Sequence, residues 1–357
     1  MTLLSTSFFR KIVLFLSGGA LSISAMAAPD FNQVQREANQ GHARSQSALG
    51  AIYHEVRGVL QDDEKAAEWY EKATSQGRAL SQAVLGVMYA QGIGVRQDDA
   101  KAAQWFEKSA NQGNDLSQSA LGAMYLEGRG VRQDDAKAAE WFEKSASQGD
   151  DLSQAALGAM YLKGIGVRQD YAKAAEWLEK AASQGHAASQ FSLGEMYYEG
   201  QGVRQDYAKA AQWYEKAASQ GHALAQTVLG AIYHDGIGVG QDDAKAAEWR
   251  EKSAIQGHAR SQAVLGLMYL EGIGVRQDYA KAAEWLEKAA NQGNALSQAE
   301  LGAVHYSLGA MYYKGRGVRQ DYVVAKEWFG ESCGNGHQDG CDFYKSLTKI
   351  PQNSPTS

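Results

Sequence analysis

Tryptophan stands at Trp69, Trp105, Trp141, Trp177, Trp213, Trp249 and Trp285, each 36 residues after the last, and once more at Trp328. Leu-Gly pairs keep the same beat, from Leu49-Gly50 through Leu85-Gly86 and Leu121-Gly122 to Leu301-Gly302. A fixed period in this range means that one supersecondary element is copied along the chain. Each copy is too small to bury its own apolar face and stacks on its neighbours. The 357 residues are therefore counted in repeats rather than in globular domains. Prolines occur only at Pro29, Pro351 and Pro355, so none interrupts helix between residues 30 and 350.

Each copy reads as two helices. In one of them, helix A is expected over Ser189–Glu199 and helix B over Tyr207–Ala218. The connection Gly200–Asp206 offers glycines that can end helix A in a left-handed conformation, and Asp206 as the N-cap of helix B. Gly221 is the matching stop for helix B. Ala210, Trp213, Tyr214, Ala217 and Ala218 fall on one side of helix B, opposite Lys209, Gln212, Glu215 and Lys216. On this pattern tryptophan supplies most of the buried area of helix B. The glycine of each Leu-Gly pair would cost about 1 kcal/mol in an isolated helix, so its recurrence implies a close helix crossing. Arg250 stands where every other repeat has Tyr, Phe or Leu. Either its stem packs while its head reaches water, or that repeat is locally weaker.

Residues 1–27 are expected to form a cleaved export signal. Arg10-Lys11 precede the apolar run Ile12–Ser24, and Ala25-Met26-Ala27 supplies a small-x-small cleavage site. The run is shorter than the roughly 18–20 residues an uncleaved anchor needs, and no later segment is apolar enough to span a bilayer. The mature chain is thus expected in the periplasm or secreted. Loss of Arg10 and Lys11 takes its net charge from −6 to −8. With Lys and Arg spread periodically, that balance argues against nucleic acid and against a basic lipid-binding patch. Residues 28–44 read as an N-terminal cap, because Ala38–Gly41 matches Ala110–Gly113 while polar Gln33 stands in the place of Trp105. The repeats fill 45–345, and 346–357 is expected to be a disordered tail. The repeat before Trp328 is longer by seven residues, close to two helical turns, which either lengthen helix A or bulge as a loop.

The chain offers no catalytic residue, and no cofactor is implied. His42, His186, His222 and His258 share one repeat position and His54 and His234 another, about one helix pair apart and too far to share a metal. They are expected to be polar residues near turns. The Asp-Asp pairs, such as Asp98-Asp99, fit helix caps better than calcium loops, which need further oxygen ligands.

The pattern Ala-x-x-x-Leu-Gly-x-x-Tyr, Gly-x-Gly-Val and Asp-x-x-x-Ala-x-x-Trp-(Tyr/Phe)-x-Lys-Ala-Ala-x-x-Gly resembles the Sel-one-like repeat (SLR) family, relatives of tetratricopeptide repeats, over about residues 30–345. The resemblance implies an all-α fold, a right-handed superhelical solenoid of antiparallel helix pairs, and a role in protein–protein contact. Cys333 and Cys341 are the only cysteines, and their spacing resembles the secreted Hcp-type SLR proteins, which staple helix B to the next helix A. In an exported chain such a pair reads as a disulfide. Some Hcp-type proteins bind penicillin or hydrolyse β-lactams weakly, which makes a β-lactam- or peptidoglycan-fragment-binding protein the alternative function. Ser346-Leu347-Thr348-Lys349 matches Ser-x-x-Lys, but no Lys-Thr-Gly element accompanies it in the sequence.

Comparison of the copies locates the variable face. Leu193, Met196 and Tyr197 keep apolar character from copy to copy. Three other positions of helix A, spaced i, i+4, i+7, vary in size and character and form one stripe. In one copy they are Phe191, Glu195 and Tyr198; elsewhere the stripe includes Leu126, Leu162, His234, Leu267 and Leu270. In related solenoids this stripe lines the concave groove, which would suit a peptide or a partner helix. The opposing possibility is that helix A is buried on both sides and the stripe is packing. The groove is the preferred expectation, with Phe191, Tyr198 and Leu267 as central anchors for a protein or peptide partner and the chain itself a monomer.

Overall fold

The computed structural model describes residues 31–54, 61–293, 296 and 298–349, so the expected leader and most of the expected tail lie outside the described residues. Among the described residues there are eighteen α-helices and no strand. A first helix, α1 (Phe31–Asn39), precedes the pairs. These are α2 and α3 (Ala43–His54, Asp63–Thr74), α4 and α5 (Ala79–Gln91, Asp99–Ala110), α6 and α7 (Asp115–Glu127, Asp135–Ser147), and α8 and α9 (Asp151–Lys163, Tyr171–Ser183). They continue with α10 and α11 (Ala187–Glu199, Tyr207–Ser219), α12 and α13 (Ala223–Asp235, Asp243–Ile255), and α14 and α15 (Ala259–Glu271, Tyr279–Ala290). Last come α16 and α17 (Gln298–Lys314, Tyr322–Gly334) and α18 (Gln338–Thr348). The described residues divide into two compact units, one running to Ser189 with Gln201–Val203, the other comprising Gln190–Gly200 and the residues from Arg204 onward.

The helix boundaries follow from local chemistry. Asp98 Oδ1 accepts the Lys101 N–H at 2.9 Å and caps α5. Asp62, Asp134, Asp170, Asp206, Asp242, Asp278 and Asp321 cap the other B helices in the same way. At the end of α6, Gly128 takes φ +67°, and its N–H returns to Met124 O. The second glycine of the turn has a different reason. Gly130 lies against the backbone of Asp99 at the start of α5, and a Cβ there would collide with that carbonyl. Gly-x-Gly is thus a helix stop followed by a contact between successive repeats.

Within each pair the mid-helix glycine brings A and B together. A Cβ at Gly122 would lie 2.8 Å from the Phe142 ring, and one at Gly266 would lie 2.7 Å from Leu286 Cγ. The buried aromatic of helix B is therefore the residue after tryptophan, not tryptophan itself. Phe106 and Tyr214 are each 2% exposed, whereas Trp105 and Trp213 are half-buried. Adjacent residues point about 100° apart on a helix. Ala102, Ala103, Phe106, Ser109 and Ala110 of α5 form the buried arc, and Trp105 falls on its flank. From Trp69 to Trp285 a lysine three residues on covers the flanking ring, Lys108 Nζ at 4.0 Å from the Trp105 centroid and Lys252 at 4.0 Å from Trp249.

Successive repeats are tied by buried polar groups. In the first unit Gln118 Nε2 donates to Ala110 O of the preceding repeat at 3.1 Å, while its Oε1 accepts from Gln148 Nε2 at 2.7 Å. In the second unit Gln262 does the same with Ala254 O (3.0 Å) and Gln292 (2.7 Å). One amide thus pins three helices. Serine ties helices A and B within one repeat: Ser109 Oγ donates to Ala79 O and Ser332 Oγ to Gly302 O.

The two ends depart from the repeat. Val34 and Ala38 of α1 bury against Leu49 and Ile52 of α2, and Phe31 meets Tyr53 edge-on at 6.3 Å. The seven extra residues lengthen helix A: α16 is one continuous helix of 17 residues. Cys333 and Cys341 form a disulfide joining α17 to α18. The closing helix runs to Thr348, so residues 346–348 are helical rather than part of a disordered tail. No helix among the described residues is long and apolar enough to cross a membrane.

Candidate functional site

The variable stripe of helix A divides between the two units. In the first, Leu126 on α6 and Leu162 on α8 are half-buried. The small residues at the other stripe positions there, Ala83, Val87, Ser119, Ala123 and Ala155, are buried. Ser119 Oγ lies 2.7 Å from Ser153 Oγ of the next repeat, so this part of the stripe is packed between repeats.

The second unit is more open and more varied. Phe191, Tyr198, Leu267 and Leu270 are half-buried, while Glu195 and His234 are exposed. Phe191 lies 5.6 Å from the Tyr214 ring and stacks on His222 at 4.8 Å. Tyr198 meets Tyr207 edge-on at 5.1 Å. Phe191 and Tyr198 pack against one apolar cluster with Tyr214 and Leu229, and Leu267 and Leu270 against another with Leu265 and Leu286. Each of these side chains packs on its cluster and stays half-buried. His234 does not aim into the stripe, because its Nδ1 lies 2.6 Å from Asp243 Oδ1 at the start of α13.

The electrostatics of this face are set by Glu195. Partial desolvation raises its carboxyl above the usual range, and the like charge of Glu199 adds to that, although the side chain as a whole is exposed. Beneath it, burial raises the Tyr214 phenol, with Glu195, Glu199 and Tyr198 adding to the shift.

The other sequence-derived candidates have structural partners. His186 and His222 cap A helices: Nδ1 of each accepts the backbone N–H three residues on, at 3.2 Å. Asn114 and Asp150 do the same at the equivalent position. Among the described residues no group of three or more His, Cys, Asp or Glu could hold a metal ion. Ser346 of the Ser-x-x-Lys match lies on the last turns of α18, and its hydroxyl donates to Phe343 O at 2.7 Å. The buried glutamines and serines differ in the sequence from surface polar residues only by recurring at the repeat period. Arg250, which departs from the repeat, is buried.

Helix pairs repeated every 36 residues, capped by aspartate and crossed at glycine, define a helical-repeat solenoid protein. Sel1 repeats match residues 43–77, 79–114, 115–150, 151–186, 187–222, 223–258, 259–294 and 297–337, and the chain belongs to the Sel1 repeat family. It is similar to the crystal structure of a protective antigen present in uropathogenic Escherichia coli strains that displays an SLR fold. That match has 36% identity and a TM-score of 0.81 over 90% of this chain and 67% of that one. A Sel1 repeat protein from Oxalobacter formigenes is 33% identical with a TM-score of 0.64, over 91% of this chain and 92% of that one. No curated protein matches the chain. Proteins of this family serve in general as scaffolds for protein–protein interaction, and that coarse function applies here.

Proposed function

We propose that the chain is an exported adaptor that acts as a monomer and holds a polypeptide against the helix-A stripe of its second unit. The observation that carries this is the contrast between faces. Leu193, Met196, Leu229 and Leu265 are buried and apolar throughout, while Phe191, Glu195, Tyr198, Leu267 and Leu270 on the same kind of helix remain accessible and differ between copies. A packing face repeats its residues because each copy meets the same neighbour; a recognition face has no such constraint. Half-buried rings and leucines held by one edge cost little to order when a partner covers the other, which suits them as anchors. The disulfide fits an oxidising compartment, and the description of one solved relative as a protective antigen supports export.

The test is site-specific photo-crosslinking in cells, with a probe at Tyr198 and a control probe at exposed Glu215 on helix B. A discrete protein adduct from Tyr198 alone, lost on combining Phe191→Ala and Leu267→Ala in a chain that keeps its helical circular dichroism, is the expected result. Adducts from neither probe would refute the groove.

A further inference from the structure

Arg250 on α13 occupies the slot held by Tyr214 one repeat earlier and Leu286 one repeat later. It is 8% exposed, and no other Lys, Arg, Asp or Glu among the described residues is buried. Its stem replaces the aromatic over the mid-helix glycine, since a Cβ at Gly230 would stand 2.7 Å from Arg250 Cγ and 3.4 Å from Nε. The Nε–H is sealed from water and donates to no group among the described residues. An Nε–H in that position has lost hydration without a hydrogen bond in exchange, which is among the costlier arrangements a polar group can hold in a fold.

Other acids of this unit have partners of their own. Asp243 pairs with His234 at 2.6 Å, Asp242 with Lys245, and Glu300 with Arg260 at 2.8 Å. Burial, with the like charge of Arg260 adding to it, draws the guanidinium below its ordinary pKa, and the charge of Asp235 opposes this. The flanking residues also differ from those of the preceding repeat. There, Phe191 packs on Tyr214 and Glu195 places a carboxylate near it. Beside Arg250 the same two positions are Thr227 and Ala231, and Thr227 Oγ1 is engaged by Ser253 (2.7 Å) and Ser261 (3.0 Å). The large ring and the acid are both missing beside the one buried cation.

We propose that Arg250 is the receptor for an acidic side chain of the bound polypeptide, whose apolar neighbours meet Leu267 and Leu270 on the following helix A. This deepens the adaptor reading and rests on it. A carboxylate matches the single charge of the slot and can take two parallel N–H bonds from a guanidinium. A dianionic phosphate would remain half-neutralised in desolvated surroundings.

The direct test follows the arginine Nε–H signals of the full mature chain by NMR, with Arg250 assigned by its loss in Arg250→Tyr. Sodium acetate should move that signal saturably, and sodium chloride at equal ionic strength should not. No acetate-specific movement, or a larger effect from sodium phosphate at equal ionic strength, would overturn the proposal. Arg250→Tyr restores the residue of the preceding repeat, so the fold should tolerate it. In cells it should reduce the Tyr198 adduct at least about tenfold, while Arg260→Gln leaves the adduct in place. An adduct unchanged in Arg250→Tyr would refute the carboxylate receptor and leave the groove standing. Absence of any adduct in the unsubstituted chain would refute the groove, and the acetate titration would still decide the receptor.

Discussion

Gln118 is 5% exposed and joins three helices through two hydrogen bonds, to Ala110 O at 3.1 Å and from Gln148 Nε2 at 2.7 Å. Replacing it with methionine keeps its length and volume and removes both bonds. Ala110 O would keep a second donor, Gly113 N–H at 3.0 Å, and exposed Gln148 can turn to water. Neither partner is therefore left orphaned, and the loss is the net value of two bonds, together about 1–3 kcal/mol. The bond between the two amides is isolated by a double-mutant cycle of Gln118→Met with Gln148→Met, with an expected coupling of about 0.5–1.5 kcal/mol. Arrays need not unfold in one step. The cost is therefore read both from urea titrations and from amide hydrogen exchange in α6 and α7, where protection should fall first. A neutral or stabilising Gln118→Met, or a cycle in which the two substitutions simply add, would refute the view that this amide ladder holds successive repeats together.

Arg250→Leu should stabilise the second unit by about 1–2 kcal/mol in thermal or urea unfolding, because it restores the residue type of Leu286 and removes an uncompensated buried charge. Its stability should rise as crosslinking falls. His305 is 5% exposed and burial holds its pKa below the ordinary histidine value, with Glu331 opposing. The unfolded chain therefore takes up a proton that the folded chain resists, so this contribution is complete above about pH 6.5 and declines as the pH falls below it. Thermal unfolding of His305→Leu should lose that part of the acid sensitivity. Cys341→Ser opens the loop closed by the disulfide, whose ends are eight residues apart, and should cost the C-terminal repeat about 2.5 kcal/mol in the chain-entropy model. Hydrogen exchange in α18 should rise before that of the other helices.

The repeat, the helix pair, the aspartate caps and the glycine stops were legible because each is a local rule applied many times. A residue such as Asp206 meets its partner three residues away, and no distant part of the chain can change that. The stripe was legible as a pattern of variation, but not as a surface. Its exposure depends on what the next repeat places beside it, and that differs between buried Ala123 and half-buried Leu267. Tryptophan misled for the same reason. Periodicity places Trp105 and Phe106 on one apolar side, and only the glycine crossing of Gly86, where a Cβ would stand 2.8 Å from the Phe106 ring, selects the second as core.

By itself, then, the amino-acid order determined the fold class, the helix pair and its period, since all of these rest on short-range chemistry applied at a fixed spacing. Tertiary structure decided which polar residues are buried. Gln118 reads as a surface residue, and Arg250 stands out only by its slot in the repeat, until neighbouring helices close over both. The first then finds its partners and the second does not. The physical reason is that burial is a property of the assembled neighbours, while hydrogen-bond demand belongs to the residue. Only where the two meet does a polar side chain become either a rivet between repeats or a site waiting for a ligand.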